Sequence, residues 1–322
     1  LGYEPKEIRE KGAIAVIESR VLKGSTGFDE VYEGASYEAI VDRHPDRFSD
    51  EVVAAARRRL HGPSAIDLHI RAEDVSHIIS SRGKQKYAAI SELERAAYVR
   101  VSSALQGLGD LMKSNLPSPN QFEVRTTSGF TSKGGIRGYI PKDLWVSVSP
   151  VKNAQDLAGM PQLFVIVSER GVEYGYGASV SPNDFSHQGG KEAVRKAAPI
   201  IFDRLPIPNS TEAVNIQESL GASGPWHFRR KHRLAPNHSE YSTFDAWLSY
   251  LKSPEGKRNA AGTISRYLLP EEVDGDQLRE EVEGMAHLFQ PLIDRDWHSA
   301  AQVENPSNAE PVDEAADDIN LN

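Results

Sequence analysis

The sequence predicts an α+β fold: a helical N-terminal part followed by a mainly antiparallel sheet with helices packed on it. Three observations carry this expectation. Up to about residue 116, capped segments repeat apolar residues at spacings of three and four. From 121 the chain changes to alternating, glycine-punctuated strands, one pair of which forms a hairpin. Beyond 190, amphipathic helical segments return between short strands. The expected parts are a helical domain over 1–116, an α+β recognition domain over 120–300, and an acidic tail or linker over 301–322.

In the first part, "AIAVIESR" (13–20) fits either a helix or a buried strand. "SYEAIVDRHP" predicts a helix capped by Ser36 and stopped by Pro45. "SDEVVAAARRRLHG" predicts another, with Ser49 before it, Asp50 and Glu51 in its first turn, and Gly62 at its end. The longest helix opens with the capping box Ser91-Glu92-Leu93-Glu94. Ala97, Val101, Ala104, Leu108 and Leu111 then line one face, until "PSPN" ends the helix near Asn115.

"FEVRTT" (122–127) and "LWVSVSP" (144–150) alternate like strands. "PQLFVIVSERGVEYGYGASV" (161–180) reads as a hairpin turning at Glu169-Arg170-Gly171. In its return strand Val172, Tyr174, Tyr176 and Ala178 share one face. Glu173, Gly175, Gly177 and Ser179 share the other, which is nearly bare. A bare glycine face means that a backbone or helix packs closely there, or that a ligand does. "GKEAVRKAAPIIFDRLP" predicts a helix kinked or broken at Pro199, and "TEAVNIQESLGA" one ending at Gly221. "WHFRRKHRL" reads as a strand, "TFDAWLSYLKSP" as a helix and "GTISRYLLP" as a short strand. A last helix is expected over about 277–296, with Leu278, Val282, Met285, Phe289 and Leu292 as its seam.

The chain has 322 residues, of which 39% are hydrophobic and 26% charged, with no apolar run of membrane-spanning length. No export signal is visible in "LGYEPKEIREKG", so a soluble, cytoplasmic protein without membrane contact is expected. Leu1 at the start fits either a fragment of a longer protein or a start codon read literally. With no cysteine, disulfides, thiolate nucleophiles and cysteine-ligated zinc are excluded. Net charge is −9, but the tail from Glu304 and the stretch 271–286 each contribute −6. The remainder is therefore +3, which leaves room for a basic binding face.

No nucleotide, metalloprotease or serine-hydrolase motif is present. "KGSTGFDE" (23–30) lacks the spacing of a phosphate loop and reads as a turn, and Gly134-Gly135 with Gly138 in "TSKGGIRGYIPKDLW" (131–145) fail the same test. A Mg²⁺-dependent nuclease needs converging carboxylates and a lysine. Asp67 with Lys84 and Lys86 supply a partial match, with His69 beside them, and Asp184 with His187 in "SPNDFSHQGG" a second. Capping and salt bridging are the plainer roles for these side chains.

Basic residues interleaved with aromatics form the better signal, because phosphates need cations and bases need flat side chains. Arg137, Lys142, Tyr139 and Trp145 lie around the glycine-bent segment 131–145. Trp226, Arg229, Arg230, Lys231 and Arg233 form the second group. On a strand, Arg229, Lys231 and Arg233 would share one face, with Phe228, Arg230 and His232 opposite. The alternative is a solvated edge strand kept from aggregating by its charges.

The run "SGF…GGIRGYIPKDLWVSVSP…MPQLFVIVSERGVEYGYGASVSPNDFS" and the closing "SRYLLPEEV…LFQPLIDRDW" resemble the accessory region that precedes the motor in McrB-type restriction AAA ATPases, over about 120–297. That resemblance implies recognition of DNA, modified or not, in a bacterial defence system, with an AAA motor domain or subunit as partner and no catalysis or cofactor in this region. The motor motifs are absent here, and the sequence assigns no aromatic cage for a flipped base. The alternatives are the Mg²⁺-dependent nuclease and a small-ligand sensor on the glycine-faced sheet.

Overall fold

The structure is a computed structural model that describes residues 4–23, 37–61, 68–78, 86, 89–127, 140–141, 143–150, 160–184, 188–231, 238–295 and 297. The expected acidic tail from 301 onward lies outside these residues.

The first helices are α1 (Glu4–Lys11), α2 (Ala13–Lys23), α3 (Tyr37–Arg43) and α4 (Asp50–His61). The segment 13–20 is thus helix, not strand. Val21 of α2, Val41 of α3, and Val52 and Ala56 of α4 close a small core of their own. Next come α5 (Ala72–Ser76) and the long α6 (Glu92–Ser114). The capping box forms as the sequence requires: Glu94 N–H donates to Ser91 Oγ at 3.2 Å, and Ser91 N–H donates to Glu94 Oε2 at 2.6 Å. Arg100 of α6 grips the buried Asp74 carboxylate of α5 through Nε at 2.8 Å and Nη2 at 2.5 Å.

The sheet has six antiparallel strands: β1 (Phe122–Thr126), β2 (Leu144–Pro150), β3 (Gln162–Ser168), β4 (Gly171–Ser179), β5 (His227–Arg229) and β6 (Gly262–Leu268), in the order β1-β2-β3-β4-β6-β5. The hairpin between β3 and β4 turns on Glu169 and Arg170. Gly171 pairs with Ser168 and is the first strand residue, at φ +130, where a Cβ would run into the Leu268 carbonyl.

Between and after the strands lie α7 (Gln188–Arg204), α8 (Thr211–Ala222), α9 (Phe244–Lys252), α10 (Pro254–Asn259), α11 (Gly275–Leu288) and α12 (Gln290–Ile293). Three expectations change in detail. Helix α7 runs through Pro199 without a break. The strand expected from Trp226 onward is only three residues long. The last helix starts earlier and divides in two. Asp274 caps α11 by accepting from the N–H groups of Asp276 and Gln277, and α12 restarts with Pro291 in its first turn, where a missing N–H costs nothing.

Helices cover one sheet face. Helix α6 comes so close to β1 and β2 that a Cβ on Gly109 would sit 2.5 Å from methyls of Val124 and Val146. Phe289, between α11 and α12, stacks on Tyr176 at 5.6 Å, while the Tyr176 hydroxyl donates to Leu292 O at 3.3 Å. Phe244 of α9 meets Phe228 at 6.3 Å. One core joins Tyr98 and Leu105 of α6 to Val146, Val165 and Tyr174 of the sheet and to Trp247 and Phe289 behind it. The boundary expected near 116 falls inside this core, and the separate cluster is the one made by α2, α3 and α4. Among the described residues no helix is long and apolar enough to cross a membrane.

Candidate functional site

Strand alternation sends Val146, Val165, Tyr174 and Ile264 to the helix-covered face. The register places Ser147 and Ser149 of β2, Phe164 of β3, Glu173, Gly175 and Gly177 of β4, Ser265 and Tyr267 of β6, and Arg229 of β5 on the other. This second face carries most of the sheet's buried polar side chains, with Trp145, Phe164 and Ile166 among them, and it is enclosed. Ser147 is 2% exposed, Ser149 1%, Glu173 2%, Ser265 0% and Arg229 0%.

Ser147, Phe164, Gly175, Ser265 and His227 stand in one row across the sheet. At the usual strand spacing, Ser147 and Ser265 are about 14 Å apart. The two glycines between them differ. At Gly175 a Cβ would strike the backbone of β6, so the neighbouring strand demands glycine there. At Gly177 a Cβ would meet nothing nearer than Gln162 Cγ at 3.5 Å. The neighbouring strand therefore demands glycine at 175, whereas at 177 a Cβ would make only an ordinary contact with Gln162.

Arg229 reaches along this face from the edge strand. Its Nε donates to His238 O at 2.6 Å, and its Nη1 donates to Glu173 Oε1 at 3.2 Å. Ser265 Oγ donates to the same carboxylate oxygen at 2.8 Å. Burial pulls the Arg229 pKa below the usual arginine value, and the Glu173 carboxylate opposes that shift. The pair is neutral as a unit and fixes both side chains. A carboxylate already holding a guanidinium and a hydroxyl is committed as an acceptor, so the arrangement suits binding better than proton transfer.

Five buried side-chain polar atoms have no hydrogen-bond partner among the described residues: Ser147 Oγ, Ser149 Oγ, Arg229 Nη2, Tyr267 Oη and Arg279 Nε. The first four project from the polar face. Burial pushes the Tyr267 phenol pKa up, and the Ser168 side chain opposes that shift. Native proteins satisfy nearly all buried polar groups, so four on one face is a concentration that calls for a ligand or another partner.

The residues singled out from sequence fall in several places. Arg137, Tyr139, Lys142 and Arg233 lie outside the described residues, as do Asp67, Lys84 and His187. Trp145 is half-buried on the polar face, in the row of Ile166, Glu173 and Tyr267. Trp226 is in the core, edge-on to Tyr174 and Phe289, with its Nε1–H bonded to Ser223 Oγ, so no base can stack on it without repacking. Arg229 is enclosed and ion-paired, which removes it from surface phosphates. Arg230 is exposed but compensated: its Nε meets Glu240 at 2.7 Å and its Nη1 meets Glu255 at 3.5 Å. Lys231 is exposed and has no partner among the described residues. Lys86 is exposed, and Asp184 closes the turn Pro182–Asp184. His69 is bonded to Asp276 at 2.8 Å, tying the chain to the start of α11. Among the described residues no group of three His, Asp or Glu side chains is placed to hold a metal ion.

The register also separates the two basic segments. Leu144, where the first re-enters the sheet, aligns with Val167, Val172 and Leu268, whereas Arg229, where the second leaves it, aligns with Thr263. The two points are about 17 Å apart along the strands.

No protein-family model, curated protein or solved structure matches the chain.

The polar face itself was missed in the sequence. Its signal was present, since alternation in "LWVSVSP" puts both serines opposite the valines, and Glu173 is a lone charge on a strand buried on both sides. The partnership of Glu173 with Arg229 spans 56 residues and has no local signature.

Proposed function

We propose that the chain is a binding module without chemistry of its own, the target-recognition part of a bacterial restriction or defence system, and that the polar sheet face reads the target. The observation that carries this is the set of buried atoms on the polar face with no hydrogen-bond partner among the described residues: Ser147 Oγ and Ser149 Oγ on β2, and, beside the Arg229–Glu173 pair, Arg229 Nη2 and Tyr267 Oη. They are donors and acceptors held in a dry setting, which is what discrimination between similar polar targets requires, and because they are enclosed in the free chain a target reads them only by displacing what covers that face. The target is DNA, modified or not, as the resemblance of 120–297 implies. Trp145, half-buried on that face, is the aromatic side chain proposed to stack on a base, and the sequence offers Tyr139 as a second candidate. Lys231, together with Arg137, Lys142 and Arg233, supplies phosphate contacts. An AAA motor domain or subunit is the expected partner.

The test is fluorescence anisotropy with labelled duplexes carrying cytosine or 5-methylcytosine, titrated at several salt concentrations. Binding that weakens with salt, and a Lys231→Glu variant whose salt slope is smaller by about 1, support the reading. No binding to any duplex would overturn the DNA assignment. Cleavage on adding Mg²⁺, lost in Asp67→Ala, would instead favour the nuclease. A second reading, a sensor for a small ligand on the same face, rests on Gly177, where neither backbone conformation nor a clash requires a glycine. A thermal shift with free nucleotides and none with duplex DNA would select it.

A further inference from the structure

A groove of about 730 Å³ opens on the helix-covered side, between the end of α8 and the outward stripe of α11. It lies back to back with the polar face, since Arg266 in the groove follows Ser265 on that face. Its volume is in the range of small-molecule sites.

One end already holds a guanidinium. Arg266 Cζ lies 4.3 Å from the Trp226 ring centroid. Its Nη1 meets Glu281 Oε2 at 2.5 Å, its Nε donates to Pro225 O at 3.2 Å, and its Nη2 donates to Ser223 O. Gly224, at φ +112, leaves the space that the Arg266 side chain needs. The charge of Arg266 is therefore met from within.

The rest of the groove is lined by one uncompensated carboxylate, by the polar Gln277 and His287, and by apolar side chains. Glu280 is exposed on α11 with no partner among the described residues, while Met285, Leu288 and Pro291 supply apolar surface. The negative end of the α8 dipole, at Ser219 and Ser223, closes the other side. Between them stands Gly284. It is inside a helix, where glycine is less favourable than alanine, and its φ is not positive. A Cβ there would meet nothing within 4 Å. Neither conformation nor packing explains the glycine, and what it does is keep the groove wall low.

We propose that this groove is a binding site for an organic cation, an amine or amidine on a flat apolar body, with Glu280 as its counter-charge and Gly284 as the gap that admits it. The site is separate from the polar face and does not depend on the function proposed for that face.

Isothermal titration of the full chain with four probes of one shape tests this: benzylamine and benzamidine as cations, benzyl alcohol as the neutral form, and benzoate as the anion. The two cations bind and the other two do not. Glu280→Gln weakens the cations roughly fivefold, the reach of one partly exposed ion pair. Gly284→Leu abolishes binding while the melting temperature stays level or rises, which shows that the chain still folds. Ser147→Ala/Ser149→Ala leaves amine affinity unchanged, so failure of the polar-face reading and failure of this one are separable. Equal binding of benzoate, intact binding in Gly284→Leu, or no binding of either cation would overturn the proposal.

Discussion

Ser147→Ala and Ser149→Ala should stabilise the ligand-free protein, which is the reverse of most core substitutions. Both hydroxyls are enclosed, at 2% and 1% residue exposure, and neither has a hydrogen-bond partner among the described residues. Burying a hydroxyl without a partner costs ~1–3 kcal/mol. Alanine removes that cost and loses only the contacts of one oxygen, so each change should add about 1 kcal/mol. The double change should add about 2 kcal/mol, because the residues share no partner. Urea unfolding followed by tryptophan fluorescence measures this as a higher midpoint at an unchanged slope. Val148→Ala, between the two serines but facing the helices, is the control and should lose ~2 kcal/mol. If either serine variant were destabilised by ~1 kcal/mol or more, the hydroxyls would have to be satisfied in the folded protein, and the argument for a binding face would fail.

Three further outcomes follow from named contacts. Glu173→Gln and Arg229→Met should each lose ~3–5 kcal/mol by leaving a buried partner uncompensated, and Glu173→Met with Arg229→Met should lose far less than their sum in a double-mutant cycle by urea unfolding. Gly109→Ala should lose ~1–3 kcal/mol by wedging α6 off Val124 and Val146, read as a lower melting temperature. Burial pushes the Tyr174 and Tyr176 phenols far above their ordinary 10, so above about pH 10 the unfolded chain ionises while the folded one does not, and stability falls as pH rises. Tyr176→Phe should remove one proton from that dependence, making the loss shallower by about 1.4 kcal/mol per pH unit in unfolding measured from pH 10 upward.

Features set by near neighbours were legible in the sequence. The Ser91–Glu94 box, the stop at Pro45 and the β3–β4 hairpin follow from residues within four positions of each other, and the structure has all three. Where distant residues decide, local reading ran short. "WHFRRKHRL" has the alternation of a full strand, but β5 pairs with β6 over three residues only, because the chain turns away at Arg230, where Glu240 captures both its N–H and its guanidinium. Arg229 looked like a surface cation because its counter-ion is 56 residues back in the chain. Pro291 marked the break between α11 and α12 in plain view, but the seam of Phe289 and Leu292 on either side masked it. The α+β class survived these misses because layer architecture depends on hydrophobic period, which neither a shortened strand nor a divided helix alters.

The most direct test of the central claim compares target affinity in the wild-type chain and in Ser147→Ala/Ser149→Ala, using the labelled duplex that the wild type binds best. The account predicts at least tenfold weaker binding in a protein that is more stable, because two hydroxyls aimed at the target are gone and their burial cost with them. Affinity within twofold of wild type would contradict it and remove the polar face as the recognition surface.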